Sequence, residues 1–168
     1  MNMSPDIKAR AAAIECLFLD IDGVLTDGHL YIGPNFEETK NNYVRDGYGI
    51  RLWLKAGYQI AVISGRPSES MRTRLRTLGV QHIVLDREDK LPVYREIRDR
   101  LGLTDAQCAH VGDDLPDVAL FEHVGLACAP ADAHDTALEK AHFISRAVGG
   151  RGAVRDVIDL LLAAKAAP

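Results

Sequence analysis

Leu-Phe-Leu-Asp-Ile-Asp-Gly, residues 17–23, is the stretch from which the fold and the site can be worked out. Its apolar start is typical of a strand that is buried on both faces of a sheet. Asp20 and Asp22 follow where that strand ends, and alternate residues of an extended backbone point the same way. Two buried carboxylates that lie close together are stable only when a cation or a proton separates them. The stretch therefore predicts an acidic site at the carboxyl end of a core strand.

Two other interpretations of this acidic pair remain open on these residues alone. Asp-x-Asp-Gly also occurs as an ordinary polar turn that leaves a strand. A calcium loop would place its glycine after a third acidic position and a Glu further on, and Gly23 comes too early for that. The rest of the chain decides between a turn and a catalytic pair.

Length and composition are those of an ordinary globular domain. The chain has 168 residues, of which 47% are hydrophobic and 26% charged. Its net charge of -4 argues against nucleic-acid binding. Cys16, Cys108 and Cys128 lack metal-ligand spacing, which favours buried thiols in a reducing compartment. Residues 1–13 do not resemble a signal peptide and no run reaches membrane-spanning length, so we expect one cytoplasmic domain over residues 1–168.

Strand-like and helix-like segments alternate along the chain. Apolar strands are predicted at 16–20, 58–63, 82–85, 109–111, 125–129 and 142–144, with helices between them. This alternation predicts an α/β fold, a Rossmann-like parallel sheet sandwiched by helices.

Residues 28–44 break this alternation. A Gly33-Pro34-Asn35 turn separates two strand-like runs, and the second run is too polar for a core. We therefore expect a projecting β-hairpin, which we call the flap. Asp46 is expected to cap the helix that follows, and Gly57 to end it.

Chemically active side chains follow four of the predicted strands. They are Asp20 with Asp22, then Ser64, Lys90, and Asp113 with Asp114. Because ligands bind at the carboxyl ends of parallel strands, we expect these groups to form one site. Carboxylates suit Mg²⁺, and a hydroxyl with an ammonium suits a phosphate dianion. Each group alone has a structural explanation as a cap, a turn or a surface charge, but their joint order favours phosphoryl transfer through an aspartyl-phosphate.

These segments resemble the four motifs of the haloacid dehalogenase superfamily of phosphatases. The matching residues are Asp20-Ile-Asp22-Gly-Val-Leu-Thr, Ser64, Lys90 and Gly112-Asp113-Asp114-Leu-Pro-Asp117. Residues 44–50, 64–66 and 149–154 add a similarity to the cap-less subfamily that hydrolyses 3-deoxy-D-manno-octulosonate 8-phosphate, a sugar acid ester of lipopolysaccharide biosynthesis. The similarity extends over nearly the whole chain.

The resemblance implies a role for each matching residue. Asp20 would be the nucleophile and Asp22 the general acid and base. Mg²⁺ would be held by Asp20, by the backbone carbonyl of Asp22 and by Asp113. Ser64 and Lys90 would bind the transferring phosphoryl group. Around these groups, a second shell would be formed by Asp114 and Asp117.

Many members of the superfamily close the site with a cap domain. Here the flap, a helix and a strand already occupy the segment between Asp22 and Ser64, so no cap fits. The resemblance implies a homotetramer in which flap hairpins associate, and the aromatic residues of the flap agree with an interface. The glycine-rich segment Gly149–Gly152 is either a lid over a neighbouring site or a plain loop.

A sugar acid phosphate also carries a carboxylate, for which arginine is the usual partner. Arg66 and Arg74 lie on one predicted helix, and Arg45 is a further candidate; ordinary surface charge is the alternative for all three. Relatives that act on the nine-carbon analogue tend to have Glu at the position of Arg66. Arg66 therefore favours the eight-carbon substrate.

Three other functions compete with this one. They are a phosphatase of the nine-carbon sugar acid 9-phosphate, a signalling receiver domain and a non-catalytic tetramerisation module. A receiver would carry its phosphate-accepting Asp ahead of its Ser/Thr on a middle strand, whereas this chain offers Ser64 first and an acidic pair last. The module is disfavoured because every catalytic position is intact. None of the six histidines is assigned any chemistry.

Overall fold

Residues 4–166 are described by a computed structural model of the protein, and the outermost ends of the expected 1–168 domain lie outside these residues. The elements follow one another as α1 (Pro5–Ala13), β1 (Cys16–Leu19), β2 (Tyr31–Ile32), β3 (Glu38–Thr39), α2 (Val44–Lys55), β4 (Gln59–Ile63), α3 (Glu69–Leu78), β5 (His82–Val84), α4 (Lys90–Arg100), a 3₁₀ turn (Asp105–Gln107), β6 (Cys108–Val111), α5 (Leu115–Phe121), β7 (Leu126–Ala129), α6 (Asp135–Lys140), β8 (Phe143–Ile144) and α7 (Ala153–Ala166).

Six of the strands form one parallel sheet in the order β5-β4-β1-β6-β7-β8. Successive residues of β1 point to opposite faces: Leu17 and Leu19 pack in the cluster that contains Trp53, and Phe18 packs in the cluster that contains Tyr94. Helices cover both faces, which is why all four residues of β1 are fully buried. The predicted α/β class is confirmed.

The strand order determines where the site can form. β1 pairs with β4 on one side and with β6 on the other. The loops that follow these three strands therefore leave the sheet side by side, and they carry Asp20, Ser64 and Asp113. Residues that are distant in the chain meet at this edge of the sheet.

The predicted flap is present as a separate two-stranded antiparallel hairpin, β2 with β3. Tyr31, Ile32 and Phe36 are exposed on it, and the side chain of Phe36 at its tip is 90% accessible to solvent. An apolar surface of this kind on a projecting hairpin is typical of a protein interface.

Asp46 does not cap α2, as the sequence predicted. α2 begins two residues earlier, at Val44, and no side chain caps its start. Asp46 is instead buried, and its carboxylate accepts hydrogen bonds from the backbone N–H groups of Gly152 (3.1 Å) and Arg155 (2.8 Å) at the start of α7. The acid satisfies free donors of a helix that lies more than one hundred residues further along the chain.

Gly149 and Gly150 are packed inside their own chain, which favours the plain-loop interpretation of Gly149–Gly152. Both glycines are buried, and the Gly150 N–H donates to the carbonyl oxygen of Val24 at 3.0 Å. A side chain on either glycine would collide with the backbone of the loop that follows β1. The segment supports the nucleophile loop of its own chain.

Within residues 4–166, no helix combines the length and the apolar character needed to cross a membrane.

Candidate active site

A cavity of about 440 Å³ opens at the carboxyl edge of the sheet. Its walls include every residue that the sequence assigned to catalysis, to the metal or to the phosphoryl group. The lining residues are Asp20, Asp22, Gly28, Ser64, Gly65, Arg66, Glu88, Lys90, Asp113, Asp114, Pro116 and Asp117.

Lys90 lies at the centre of the charged groups. It is the first residue of α4, its side chain is 3% exposed, and its ammonium contacts Asp20 Oδ1 at 2.9 Å and Asp117 Oδ1 at 2.6 Å. Burial by itself would lower the pKa of Lys90, but the two carboxylates outweigh it and raise that pKa. The cavity therefore contains a permanently charged ammonium beside the proposed nucleophile.

Asp117 is fully hydrogen-bonded. Its Oδ1 accepts from Lys90 and from His110, and its Oδ2 accepts from the backbone N–H groups of Asp113 (3.1 Å) and Asp114 (3.4 Å). Although burial opposes ionisation, His110 and Lys90 hold the pKa of Asp117 below its ordinary value. An acid with both oxygens already engaged is suited to hold the loop rather than to bind a ligand.

Asp20 and Asp113 are in the opposite situation. Burial first, and then the nearby carboxylates, raise the pKa of Asp20 to about 7 and that of Asp113 to about 8. Gly23, with φ of +82°, lets the Asp113 carboxylate lie directly against the backbone that follows β1, where any side chain would collide with it. The fold therefore crowds negative charge beyond what Lys90 compensates.

This crowding fits a divalent cation. One oxygen from each of Asp20, Asp113 and Asp117 lies within 4.8 Å of the others. Since Asp117 is saturated by its donors, Asp20 and Asp113 are the carboxylates free to bind a metal. Hard oxygen ligands in small number are the pattern that Mg²⁺ prefers, with water and substrate completing its coordination.

Ser64 follows β4 and is buried at the cavity wall, where its Oγ accepts a hydrogen bond from the backbone N–H of Arg66 at 3.2 Å. Its backbone is fixed on both sides, because its N–H donates to Val84 and its carbonyl accepts from Arg87. The hydroxyl proton is left available for an anion in the cavity.

Asp114 lies at the rim of the cavity. Its side chain is exposed and caps α5 by accepting the Leu115 N–H at 2.7 Å. It thus lies beside the carboxylate cluster without being part of it, as expected of a supporting residue.

The flap contributes two charged residues that the sequence analysis missed. The Lys40 side chain is 2% exposed, and its ammonium contacts Asp22 Oδ2 at 2.7 Å and Glu38 Oε1 at 3.2 Å. The polar arm of the flap is therefore not simply solvated. Glu38 and Lys40 are two apart, so an extended arm presents both on the same side, and this spacing could have indicated them.

Of the three candidate substrate arginines, the structure brings only Arg66 to the cavity. Its guanidinium donates to Glu38 Oε2 at 2.6 Å and approaches Asp22 Oδ2 at 3.9 Å. Arg45 lines a different cavity with Arg151 and Arg155, and Arg74 lies beside Gly47 and Leu78. Arg45, in the first turn of α2, and Arg74, in the second turn of α3, therefore line cavities other than the one that contains Asp20.

Comparisons with known proteins agree with this geometry. A family model described as haloacid dehalogenase-like hydrolase matches residues 82–158. The 3-deoxy-D-manno-octulosonate 8-phosphate phosphatase KdsC of Escherichia coli (strain B / BL21-DE3) is 44% identical over 163 residues, which cover 97% of this chain and 87% of that protein.

Solved structures show the same similarity. The phosphatase of this name from Yersinia pestis matches with a TM-score of 0.95 at 44% identity, covering 97% of this chain and 88% of that one. The Moraxella catarrhalis phosphatase, solved in complex with a magnesium ion, a phosphate ion and a KDO molecule, matches with a TM-score of 0.94 at 32% identity, covering 97% and 94%.

Proposed function

Because this chain belongs to the KdsC family of haloacid dehalogenase-like hydrolases, we propose that it hydrolyses 3-deoxy-D-manno-octulosonate 8-phosphate to 3-deoxy-D-manno-octulosonate and phosphate in lipopolysaccharide biosynthesis. The observation that carries the proposal is the buried Asp20 carboxylate, which contacts the Lys90 ammonium and lies within 4.8 Å of the Asp113 carboxylate. The cofactor is Mg²⁺, as in the Moraxella complex.

In the first half of the reaction, a carboxylate oxygen of Asp20 attacks phosphorus. The bond from phosphorus to the sugar oxygen breaks as the bond to Asp20 forms, and Asp22 gives its proton to the departing alkoxide. Lys90 and the Ser64 hydroxyl hold the phosphoryl oxygens on which negative charge is spread.

In the second half, Asp22 removes a proton from a water molecule that attacks the same phosphorus. The bond to Asp20 breaks, and phosphate leaves with the nucleophile restored. Mg²⁺, held by Asp20, Asp113 and the backbone carbonyl of Asp22, would neutralise the crowded carboxylates and the anionic substrate. Asp114 and Asp117 do not touch the reacting atoms. Asp114 caps α5, and Asp117 holds both Lys90 and the loop that carries Asp113.

The substrate carboxylate is assigned to Arg66 at the mouth of the cavity. Glu38 accepts a hydrogen bond from this guanidinium, so a flap carboxylate already makes the kind of contact that a substrate carboxylate would make. Lys40 and Glu38 connect the flap to both Asp22 and Arg66. The flap thereby positions the general acid and the group that recognises the leaving alcohol.

A panel of phosphate esters tests the substrate. We expect Mg²⁺-dependent phosphate release to favour the eight-carbon sugar acid ester. We expect Arg66→Gln to raise KM for it by roughly 10–100-fold, because a charged hydrogen bond is worth about 1.5–3 kcal/mol. An ester without a carboxylate should be affected much less.

Arg66 precedes α3 and is not part of it, and the control is Arg76→Gln, an exposed arginine within α3. This variant should change KM for neither class of ester. A preference for the nine-carbon ester would replace the substrate and leave the chemistry standing. An equal effect of Arg66→Gln on both classes of ester would contradict the assignment of the carboxylate.

We also propose that the chain forms a homotetramer through the flap, residues 28–44. The proposal is supported by the exposed Tyr31, Ile32 and Phe36 on a hairpin that is separate from the main sheet. We expect the double substitution Ile32→Ser with Phe36→Ser to convert the tetramer into smaller species in analytical ultracentrifugation.

Ile144→Ser provides the control for that experiment, since Ile144 is 46% exposed on β8, an edge strand of the main sheet and not part of the flap. A wild-type monomer, or a double variant that stays tetrameric, would remove the flap as the interface. We further propose that residues 1–168 act as one domain in the cytoplasm.

A further inference from the structure

His110 is a buried polar residue behind the phosphate-binding groups, and no step of the proposed reaction uses it. It lies on β6, is 0% exposed, and packs edge-on against Phe121. Its Nε2 lies 2.7 Å from Asp117 Oδ1, and its Nδ1 lies 3.3 Å from the backbone carbonyl oxygen of Phe18 on β1.

Both of these partners are hydrogen-bond acceptors. The carbonyl of Phe18 has no proton to give, and Asp117 already accepts from Lys90 and from two backbone N–H groups as an ionised carboxylate. A neutral imidazole has one N–H and would turn its other nitrogen, a lone pair, toward an acceptor. The two contacts are satisfied together only when the ring donates from both nitrogens, as the imidazolium.

Asp117 depends on this donor for its position. His110 and Lys90 approach the same oxygen, at 2.7 Å and 2.6 Å, and the other oxygen holds the start of the loop that carries Asp113 and Asp114. Without His110, Asp117 would keep Lys90 and the loop but lose the connection that runs through the His110 ring to the Phe18 carbonyl on β1. Since Lys90 also contacts Asp20, a shift of Asp117 moves the ammonium away from the phosphoryl position.

We propose that His110 is a positioning residue, which donates from both ring nitrogens and thereby anchors Asp117, so that Asp117 holds Lys90 and the Asp113 loop in their reactive places. The inference deepens the proposed function, because it concerns how the phosphoryl site of that reaction is assembled. His110 itself touches neither substrate nor metal.

Three substitutions of His110 test its two hydrogen bonds one at a time and together. The amide nitrogen of Gln reaches about as far from the backbone as Nε2, that of Asn reaches about as far as Nδ1, and Phe keeps a ring without donors. We expect His110→Phe and His110→Asn to lower kcat roughly 10–100-fold and to weaken inhibition by orthophosphate about 10-fold. His110→Gln should retain kcat and orthophosphate inhibition within about threefold of the wild type.

This order of activities distinguishes positioning from a structural role. A structural role alone would lower the unfolding temperature of all three variants and leave orthophosphate inhibition of the folded protein unchanged. His123→Phe, at an exposed histidine beyond α5, is the control and should change nothing. Wild-type values in His110→Phe, or equal losses in the Gln and Asn variants, would overturn the inference.

A spectroscopic measurement on the unmodified chain covers the case in which the variants fail to fold. Nitrogen-15 NMR of labelled histidine should show that both ring nitrogens of His110 carry a proton, as the two acceptor contacts require. A neutral ring would overturn the inference. Absence of any phosphate-ester hydrolysis by the wild type would instead overturn the proposed function, and the NMR signal together with orthophosphate binding would still decide the role of His110.

Discussion

Asp20→Asn should reduce phosphate release by at least about 10⁴-fold, because a neutral amide cannot attack phosphorus to form the acyl phosphate. The substitution keeps the volume of the side chain, and Lys90 keeps its contact with Asp117, so the protein should remain folded. Turnover of the sugar acid ester with Mg²⁺ is the measurement. Acid-quenched wild-type enzyme should also carry a phosphoryl group on the peptide that contains Asp20, and the variant should not.

Asp89→Asn is the matched control for this experiment. Asp89 is exposed, precedes Lys90 directly, and its side chain makes no capping hydrogen bond to α4. It should therefore retain wild-type turnover. If Asp20→Asn turned over the ester as fast as the wild type, Asp20 would be excluded as the nucleophile. A wild type without activity toward any phosphate ester would favour the non-catalytic tetramerisation module.

Asp113→Asn should have opposite effects on stability and on activity. In EDTA we expect the variant to be more stable than the wild type by about 1–3 kcal/mol, because it removes one of the crowded carboxylates. Burial and the neighbouring acids raise the pKa of Asp113 to about 8, so the metal-free fold must either tolerate the repulsion or take up a proton. Mg²⁺-dependent activity should be lost, since a metal ligand is gone.

Urea unfolding of the wild type and of Asp113→Asn, each in EDTA and in Mg²⁺, measures the free energy of unfolding with and without the metal. Mg²⁺ at about one hundred times its Kd should raise the free energy of unfolding of the wild type by about 2.7 kcal/mol, and that of the variant much less. Asp114→Asn is the neighbouring control, because Asn also caps a helix well and Asp114 is the smallest contributor to the repulsion, so its gain in EDTA should be much smaller than that of Asp113→Asn. If Asp113→Asn destabilises the metal-free protein, the carboxylates are not in conflict and Asp113 has a structural role.

Local sequence patterns predicted most of the sheet. The apolar run that ends at Asp20 and the runs at 58–63 and 109–111 correspond to β1, β4 and β6, with ends that differ by one residue. Gly57 follows the end of α2 with positive φ, as expected, and Gly79 ends α3 in the same conformation. These features are local, so a single sequence carries them.

The contacts of isolated charged residues were not predictable in this way. Asp46 was expected to cap the nearest helix and caps α7 instead. Arg45 and Arg74 share the residue type of Arg66 and line other cavities. A side chain that is alone in its segment has no periodicity from which its direction can be derived.

The sequence by itself determined the α/β class and the location of the site at the carboxyl edge of the sheet, because strand period and strand-end position restrict these strongly. The expected roles of Asp20, Asp22, Ser64, Lys90 and Asp113 came from the resemblance of their motifs to those of the superfamily. Only the tertiary structure decided that Glu38 and Lys40 of the flap reach Arg66 and Asp22, and that His110 supports Asp117. Those contacts arise where separate segments pack together, and packing depends on the relative placement of segments, which no local pattern encodes.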